Sequence, residues 1–213
     1  MIHLRHESKK EFEVIGKIIV APQSSMGESL LKDLQNGDIN VRLSVLERLD
    51  GLQQTELEQV FKQVLTDTNT KMHEAAAQKI GLCPSMFGLF LKDPNSAARA
   101  STIHQMALSQ GNKQEMFKLI TPLLSDAANL VRLAIAKTLS AYIPEQNTPD
   151  TQAFMEKEFQ TVLDRILIDT YDDIRTNAAK VFLVLERTFD FQFILQKMGN
   201  SLKKVINDPQ WRV

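Results

Sequence analysis

Apolar residues recur with the period of an α-helix along most of this chain. In 55–66 they stand at positions i, i+3, i+4, i+7 and i+8, and the same spacing returns in 116–124 and 159–167. A second amphipathic segment follows after a few polar residues, as in 131–142 and 174–185. Strand-like alternation occurs only in 14–20, which fits a helix almost as well. The pattern therefore predicts an all-α fold built from paired helices.

The second helix of each predicted pair carries a repeated pattern. A polar residue is followed five positions later by an apolar residue, which we expect to be buried, and then at once by a base. A small residue comes three or four positions further on, and a large apolar residue stands at the eighth place. The five copies are Asn36 with Val41-Arg42, Asp67 with Met72-His73, Asp93 with Ala98-Arg99, Asp126 with Val131-Arg132, and Asp169 with Ile174-Arg175. The eighth-place residues are Leu49, Ile80, Met106, Leu139 and Phe182, and left-handed caps are expected at Gly51, Gly81 and Gly111.

Neither helix of such a pair can bury its apolar stripe alone, whereas stacked pairs share one continuous core. The prediction is an α-α superhelix, a HEAT-like solenoid of about five helix pairs plus a partial sixth, over residues 29–213. Residues 1–28 are expected to form an N-terminal cap or a degenerate repeat. Asp208 stands in the register of a sixth copy whose apolar residue is Val213, so we expect the chain to be part of a longer array.

The pattern resembles the second half of a HEAT repeat. LLSDAANLVRLAIAKTL (123–139) carries it most fully, while LIDTYDDIRTNAAKVF (167–182) and LQNGDINVRLSVLERL (34–49) are nearly as close. The copies around Met72 and Ala98 depart from it, with His73 in place of arginine and Ala98 in place of valine. Within that family, NDPQWRV (207–213) resembles the intra-repeat turns of scaffold subunits of protein phosphatase 2A.

The resemblance implies a non-enzymatic protein-binding scaffold. In the phosphatase scaffolds the partners are the catalytic subunit of a serine/threonine phosphatase and a regulatory subunit, held through the turns between paired helices. Carried onto this chain, those turns supply the protein-binding candidates Asn40, Arg42, Asn95, Arg99, Asn129, Arg132, Asp172, Arg175 and Trp211. A nuclear-transport or other HEAT adaptor is the alternative, and a HEAT-like DNA glycosylase is an alternative of another class.

The charged residues of the turns have two interpretations. Arg99, Arg132 and Arg175 could grip phosphates or an acidic peptide. Alternatively, each arginine pairs with an aspartate of its own or an adjacent turn, and we favour this structural ladder. Trp211 likewise is either an exposed interface anchor or packs on the preceding helix pair.

Composition removes several other classes of function. The 25 basic and 26 acidic residues leave a net charge of −1, so we expect neither nucleic acid nor a membrane as partner. No catalytic, cofactor or metal motif is recognisable, and we predict no enzyme activity and no cofactor. Cys83 is the single cysteine and is expected to be buried and inert. His3 and His6 are expected to be solvated, and His73 and His104 structural; the protein is expected to be cytoplasmic or also nuclear.

Overall fold

The computed structural model describes residues 26–209, and this range contains helices and turns without a strand, which confirms the all-α prediction. The α-helices are α1 (Met26–Asn36), α2 (Ile39–Leu46), α3 (Gln54–Val64), α4 (Thr70–Lys79), α5 (Phe87–Phe90), α6 (Ser96–Leu108), α7 (Lys113–Ile120), α8 (Asn129–Thr138), α9 (Pro149–Phe154), α10 (Gln160–Ile166), α11 (Asp172–Ala179), α12 (Phe182–Leu185) and α13 (Phe191–Asn207). Tighter 3-10 turns occupy 80–82, 84–86, 121–125 and 139–142, and a π-helical turn, Met155–Phe159, joins α9 to α10. The expected boundary at residue 29 stays a prediction.

The helices form two layers. In the second-helix layer, α2, α4, α6, α8 and α11 contact one another in that order. In the first-helix layer, α1 packs on α3, and α10 packs on both the 121–125 turn and α13. This arrangement is compatible with the predicted α-α superhelix, whose number of repeats stays a prediction.

The core lies between the layers, at the positions that the repeated pattern predicts. The four register residues from Met72 to Ile174 are at most 1% exposed, and Ile80, Met106 and Leu139 at the eighth place are fully buried. Small residues of the second helices, such as Ala76 and Ala178, are buried as well, which allows neighbouring helices to approach closely.

Two positions differ from this prediction. Val41 is 38% exposed, because α2 is the first helix of the second-helix layer within residues 26–209 and so has no preceding described helix of that layer to cover it. Phe182 is only partly buried, and Leu185 lies in the core instead. The reason is that α11 ends at Ala179, so α12 begins with a different helical phase.

None of the three glycines closes its helix as predicted, although Gly51 does adopt the left-handed conformation, in a turn after α2 has ended at Leu46. Gly51 has φ +84°, the left-handed conformation that glycine adopts without a steric penalty. Gly81 instead lies in the 80–82 turn, which continues α4 in a tighter winding. Gly111 has no positive φ, because α6 already ends at Leu108 and Ser109 after it is extended.

The proline-containing segments end helices or begin them. α7 ends at Ile120, and Pro122 lies in the 3-10 turn that follows. α9 begins at Pro149, with Thr148 as its capping residue. No helix within 26–209 combines the length and the apolar character that crossing a bilayer requires.

Candidate interaction surface

The turns that lead into four of the second helices share one local structure. An aspartate side chain accepts the backbone N–H of the residue two positions later, at 2.8 to 3.0 Å, and the helix begins directly afterwards. The four aspartates are Asp67, Asp93, Asp126 and Asp169. Because such side-chain turns compete with further helix formation, they end the preceding segment and orient the next helix.

In the four copies that begin with these aspartates, the base reaches back to its own turn. Six residues after the aspartate, it donates a hydrogen bond to the backbone carbonyl of that aspartate. The distances are 2.7 Å for His73 to Asp67, 2.7 Å for Arg99 to Asp93, 2.6 Å for Arg132 to Asp126 and 2.9 Å for Arg175 to Asp169. One carbonyl per turn, otherwise left without a helical partner, is thereby satisfied.

The same base also reaches forward to the carboxylate of the next turn. We call the resulting five ion pairs the ladder: Arg42–Asp67, His73–Asp93, Arg99–Asp126, Arg132–Asp169 and Arg175–Asp208. Asp208 thus takes the ladder position that the repeated pattern predicts for it. The arginines therefore make the contacts expected of a structural ladder, which was the favoured interpretation.

Electrostatics in the ladder lower the pKa of two of its carboxylates, those of Asp126 and Asp169. Burial by itself raises the pKa of Asp126, but hydrogen bonds from Arg99 and the Ala128 amide, together with the arginine charges, lower it overall. The pKa of Asp169 is lowered in the same way, chiefly by Arg132. Such carboxylates are poor general acids near neutral pH.

The sequence-predicted binding residues fall into two groups. Arg42, Arg99, Arg132 and Arg175 belong to the ladder, and Asn95 caps α6 and donates to Thr70 and Glu74. By contrast, Asn40, Asn129 and Asp172 are exposed in the first turns of α2, α8 and α11. Trp211 lies outside the described residues. Binding of a partner by any of these residues stays a prediction.

A cleft of about 320 Å³ opens between the turns that precede α8 and α11. Its lining includes Arg132, Arg165 and Ile168, and the Ile168 side chain is 58% exposed. Tyr171, 49% exposed, lies beside it with its ring 5.6 Å from the guanidinium carbon of Arg132. Ile168 is not among the residues predicted from the sequence to bind a partner, although its place directly after the apolar stripe that ends at Leu167 was the available signal.

A groove of about 270 Å³ lies on the second-helix layer across α4, α6 and α8. Small residues such as Ala100 and Ala134 form its depression, and Leu130, 44% exposed, lies at one end. His104, expected to be structural, is instead exposed at this groove. Because the groove and the cleft both include residues from the first turns of α8, we treat them together as the docking surface.

The remaining reactive groups have structural surroundings. Cys83 is fully buried as predicted, its sulfur accepts a hydrogen bond from Gln54, and burial raises the pKa of its thiol. Within residues 26–209, histidine, cysteine and acidic side chains form no group of three or more that could hold a metal ion. His3 and His6 lie outside the described residues.

Comparison with known proteins leaves the chain without a family assignment. No protein-family model matches it, and no curated protein matches its sequence.

Proposed function

We propose that this chain is a non-enzymatic protein-binding scaffold that holds its partner on the docking surface. The observation that carries the proposal is the exposure of Leu130, Ile168 and Tyr171 around one cleft and one adjoining groove. Large apolar side chains that surround a depression are typical anchors of protein interfaces, where their burial supplies most of the binding energy.

The ladder supports this proposal by holding the anchors in place. The ion pair from Arg132 to Asp169 joins α8 to the turn before α11, with Nε–Oδ2 at 2.6 Å and Nη2–Oδ1 at 3.3 Å. Tyr171 contacts the same guanidinium group. A surface that is already ordered before binding loses less conformational entropy on association.

The HEAT resemblance suggests phosphatase catalytic and regulatory subunits as partners, with a nuclear-transport cargo as the alternative. An enzymatic role has less support, since the two cleft carboxylates, Asp126 and Asp169, are held ionised by arginines. A DNA glycosylase would need a basic groove, whereas the cleft pairs Arg132 with Asp169.

The test is affinity capture from cell extract with matched baits. Leu130→Asp and Ile168→Asp place a charge on the docking surface, while Leu119→Asp and Leu183→Asp are controls on exposed leucines of α7 and α12, outside it. We expect the unchanged chain and both controls to retain the same proteins and both docking-surface variants to lose them.

Each retained protein is then purified and titrated by calorimetry. We expect Leu130→Asp to weaken its affinity by at least about tenfold, since removal of an interface anchor costs about 2 kcal/mol. Equal affinity for all baits would reject the docking surface. A shift of duplex DNA at low salt, in a parallel gel assay, would favour the glycosylase instead.

A further inference from the structure

One of the five ion pairs in the ladder uses histidine where the others use arginine. His73 joins α4 to Asp93, in the turn before α6, and both residues are buried, at 6% and 3% exposure. His73 otherwise repeats the two arginine contacts, backward to a carbonyl and forward to a carboxylate. Histidine can lose its proton near neutral pH, whereas the arginines at the equivalent position of the other four ion pairs stay charged.

The geometry determines the protonation state of His73. Its Nε2 lies 2.7 Å from the carbonyl oxygen of Asp67, and its Nδ1 lies 2.6 Å from Oδ2 of Asp93. A carbonyl oxygen and a carboxylate can only accept, so both ring nitrogens must donate, as they do only in the imidazolium form. A neutral imidazole carries one ring proton, and either tautomer therefore loses one of the two contacts.

The surrounding charges favour the same form. Asp93 has His73 as its ionic partner among the described residues, while Arg99 from α6 bonds the Asp93 carbonyl rather than its carboxylate. Arg42 from α2 occupies the Asp67 carboxylate, and Glu74 of α4 accepts from Asn95.

The balance of these effects raises the pKa of His73. Burial alone lowers it, but the hydrogen bond to the Asp67 carbonyl and the hydrogen bond and charge of Asp93 outweigh burial. Carboxylates and guanidinium groups, as classes, keep their charge between pH 6 and 9, so histidine is the group that titrates here.

We propose that the His73–Asp93 ion pair is a pH-sensitive contact between α4 and the turn before α6, which we call the joint. The ion pair forms while His73 is protonated and breaks in mildly alkaline solution. Its loss weakens the attachment of α4 to that turn, while the arginine ion pairs stay formed. A raised pKa in the folded state means that the stabilising effect is fully present below the unfolded-state value of about 6.5. That effect is lost as the pH rises through the folded-state pKa.

A nuclear magnetic resonance titration of the full chain tests the protonation state. We expect both ring nitrogens of His73 to be protonated at pH 6, and its midpoint to lie above the ~6.5 of free histidine. The backbone amide of Asn95, which donates to Asp93, should shift with the same midpoint, whereas the matching amide of Ala128 in the Arg99–Asp126 turn should not. A midpoint at or below that of free histidine would overturn the proposal.

Urea unfolding at pH 6 and pH 9 tests the joint itself, with His73→Arg and His73→Gln as comparisons. Relative to either variant, the unchanged protein should lose stability between pH 6 and pH 9, seen as a fall in its urea midpoint. His73→Gln is neutral at both pH values and also decides the test if His73→Arg does not fold. The same pH response in the unchanged chain and in His73→Gln would show that His73 is not the source.

Discussion

The two layers of helices differ in regularity. The second-helix layer uses helices of 8 to 13 residues, and four of them begin after the same aspartate turn. The first-helix layer ranges from the four residues of α5 to the continuous helical segment 149–166, which includes a π-helical turn. We infer that the ladder sets the spacing of the turns in the second-helix layer, while the helices of the first-helix layer adapt their length to the space available.

In the first-helix layer, packing of aromatic rings rather than ion pairs connects neighbouring segments. The ring of Phe117 on α7 lies 5.4 Å from Tyr142, 5.3 Å from Phe154 and 5.6 Å from Phe159. Residues five apart point in different directions on an α-helix, and the wider turn at Met155–Phe159 brings Phe154 and Phe159 to the same side. The irregular turn is thus explained by the ring cluster that it completes.

The largest effect is expected from the aromatic cluster. Phe117→Ala should lower the free energy of unfolding by about 3–5 kcal/mol, because it leaves a cavity among three rings. Leu119→Ala, on an exposed position of the same helix, should change it by less than about 0.5 kcal/mol. Urea melts of the two variants provide the measurement, and similar losses would contradict the assignment of the core face of α7.

A smaller loss is expected when one ion pair of the ladder is removed. Arg132→Ala leaves the Asp169 carboxylate largely buried without its partner and should cost about 2 kcal/mol, allowing for partial access of water. Arg48→Ala removes the exposed pair with Asp33 and should cost at most about 1 kcal/mol.

The stability of Arg132→Ala and of the unchanged chain can also be compared at low pH. Arg132 lowers the pKa of Asp169 below the unfolded-state value, so the stability that the pair contributes is present above about pH 4 and is lost as the pH falls further. Arg132→Ala and the unchanged chain should therefore approach each other in stability in acid. A difference that persists at the lowest measurable pH would point to packing rather than charge.

The smallest effect, with the opposite sign, concerns Tyr142. Its hydroxyl is buried in the aromatic cluster and has no hydrogen-bond partner among the described residues, and burial raises the pKa of the phenol. Tyr142→Phe removes this unsatisfied group and should raise the free energy of unfolding by about 1 kcal/mol. A loss of stability in thermal or urea melts would show that the hydroxyl is bonded in solution.

The ladder could be predicted from the repeated pattern, because the aspartate and the arginine stand at constant offsets from a buried residue, whereas the exposed anchors Leu130, Ile168 and Tyr171 were not predicted. Whether each arginine pairs with the aspartate of its own turn or with that of the next turn could not be predicted from the sequence. Arg132 and Asp169 are 37 residues apart, and their contact depends on how α8 stacks on α11. The exposure of Leu130 and Tyr171 depends on the same stacking.

The sequence by itself determined the all-α fold and, except at α12, the phase of the buried faces in the second-helix layer, since helical periodicity and aspartate turns act over fewer than about ten residues. Only the tertiary structure decided which groups are left in water and which charges meet. Val41 is exposed, His73 reaches Asp93, and the Tyr142 hydroxyl has no partner among residues 26–209, because of contacts made 20 residues away or not made at all. Such contacts are set by the approach of whole helices, and the local pattern of one helix carries no information on the distance to the next.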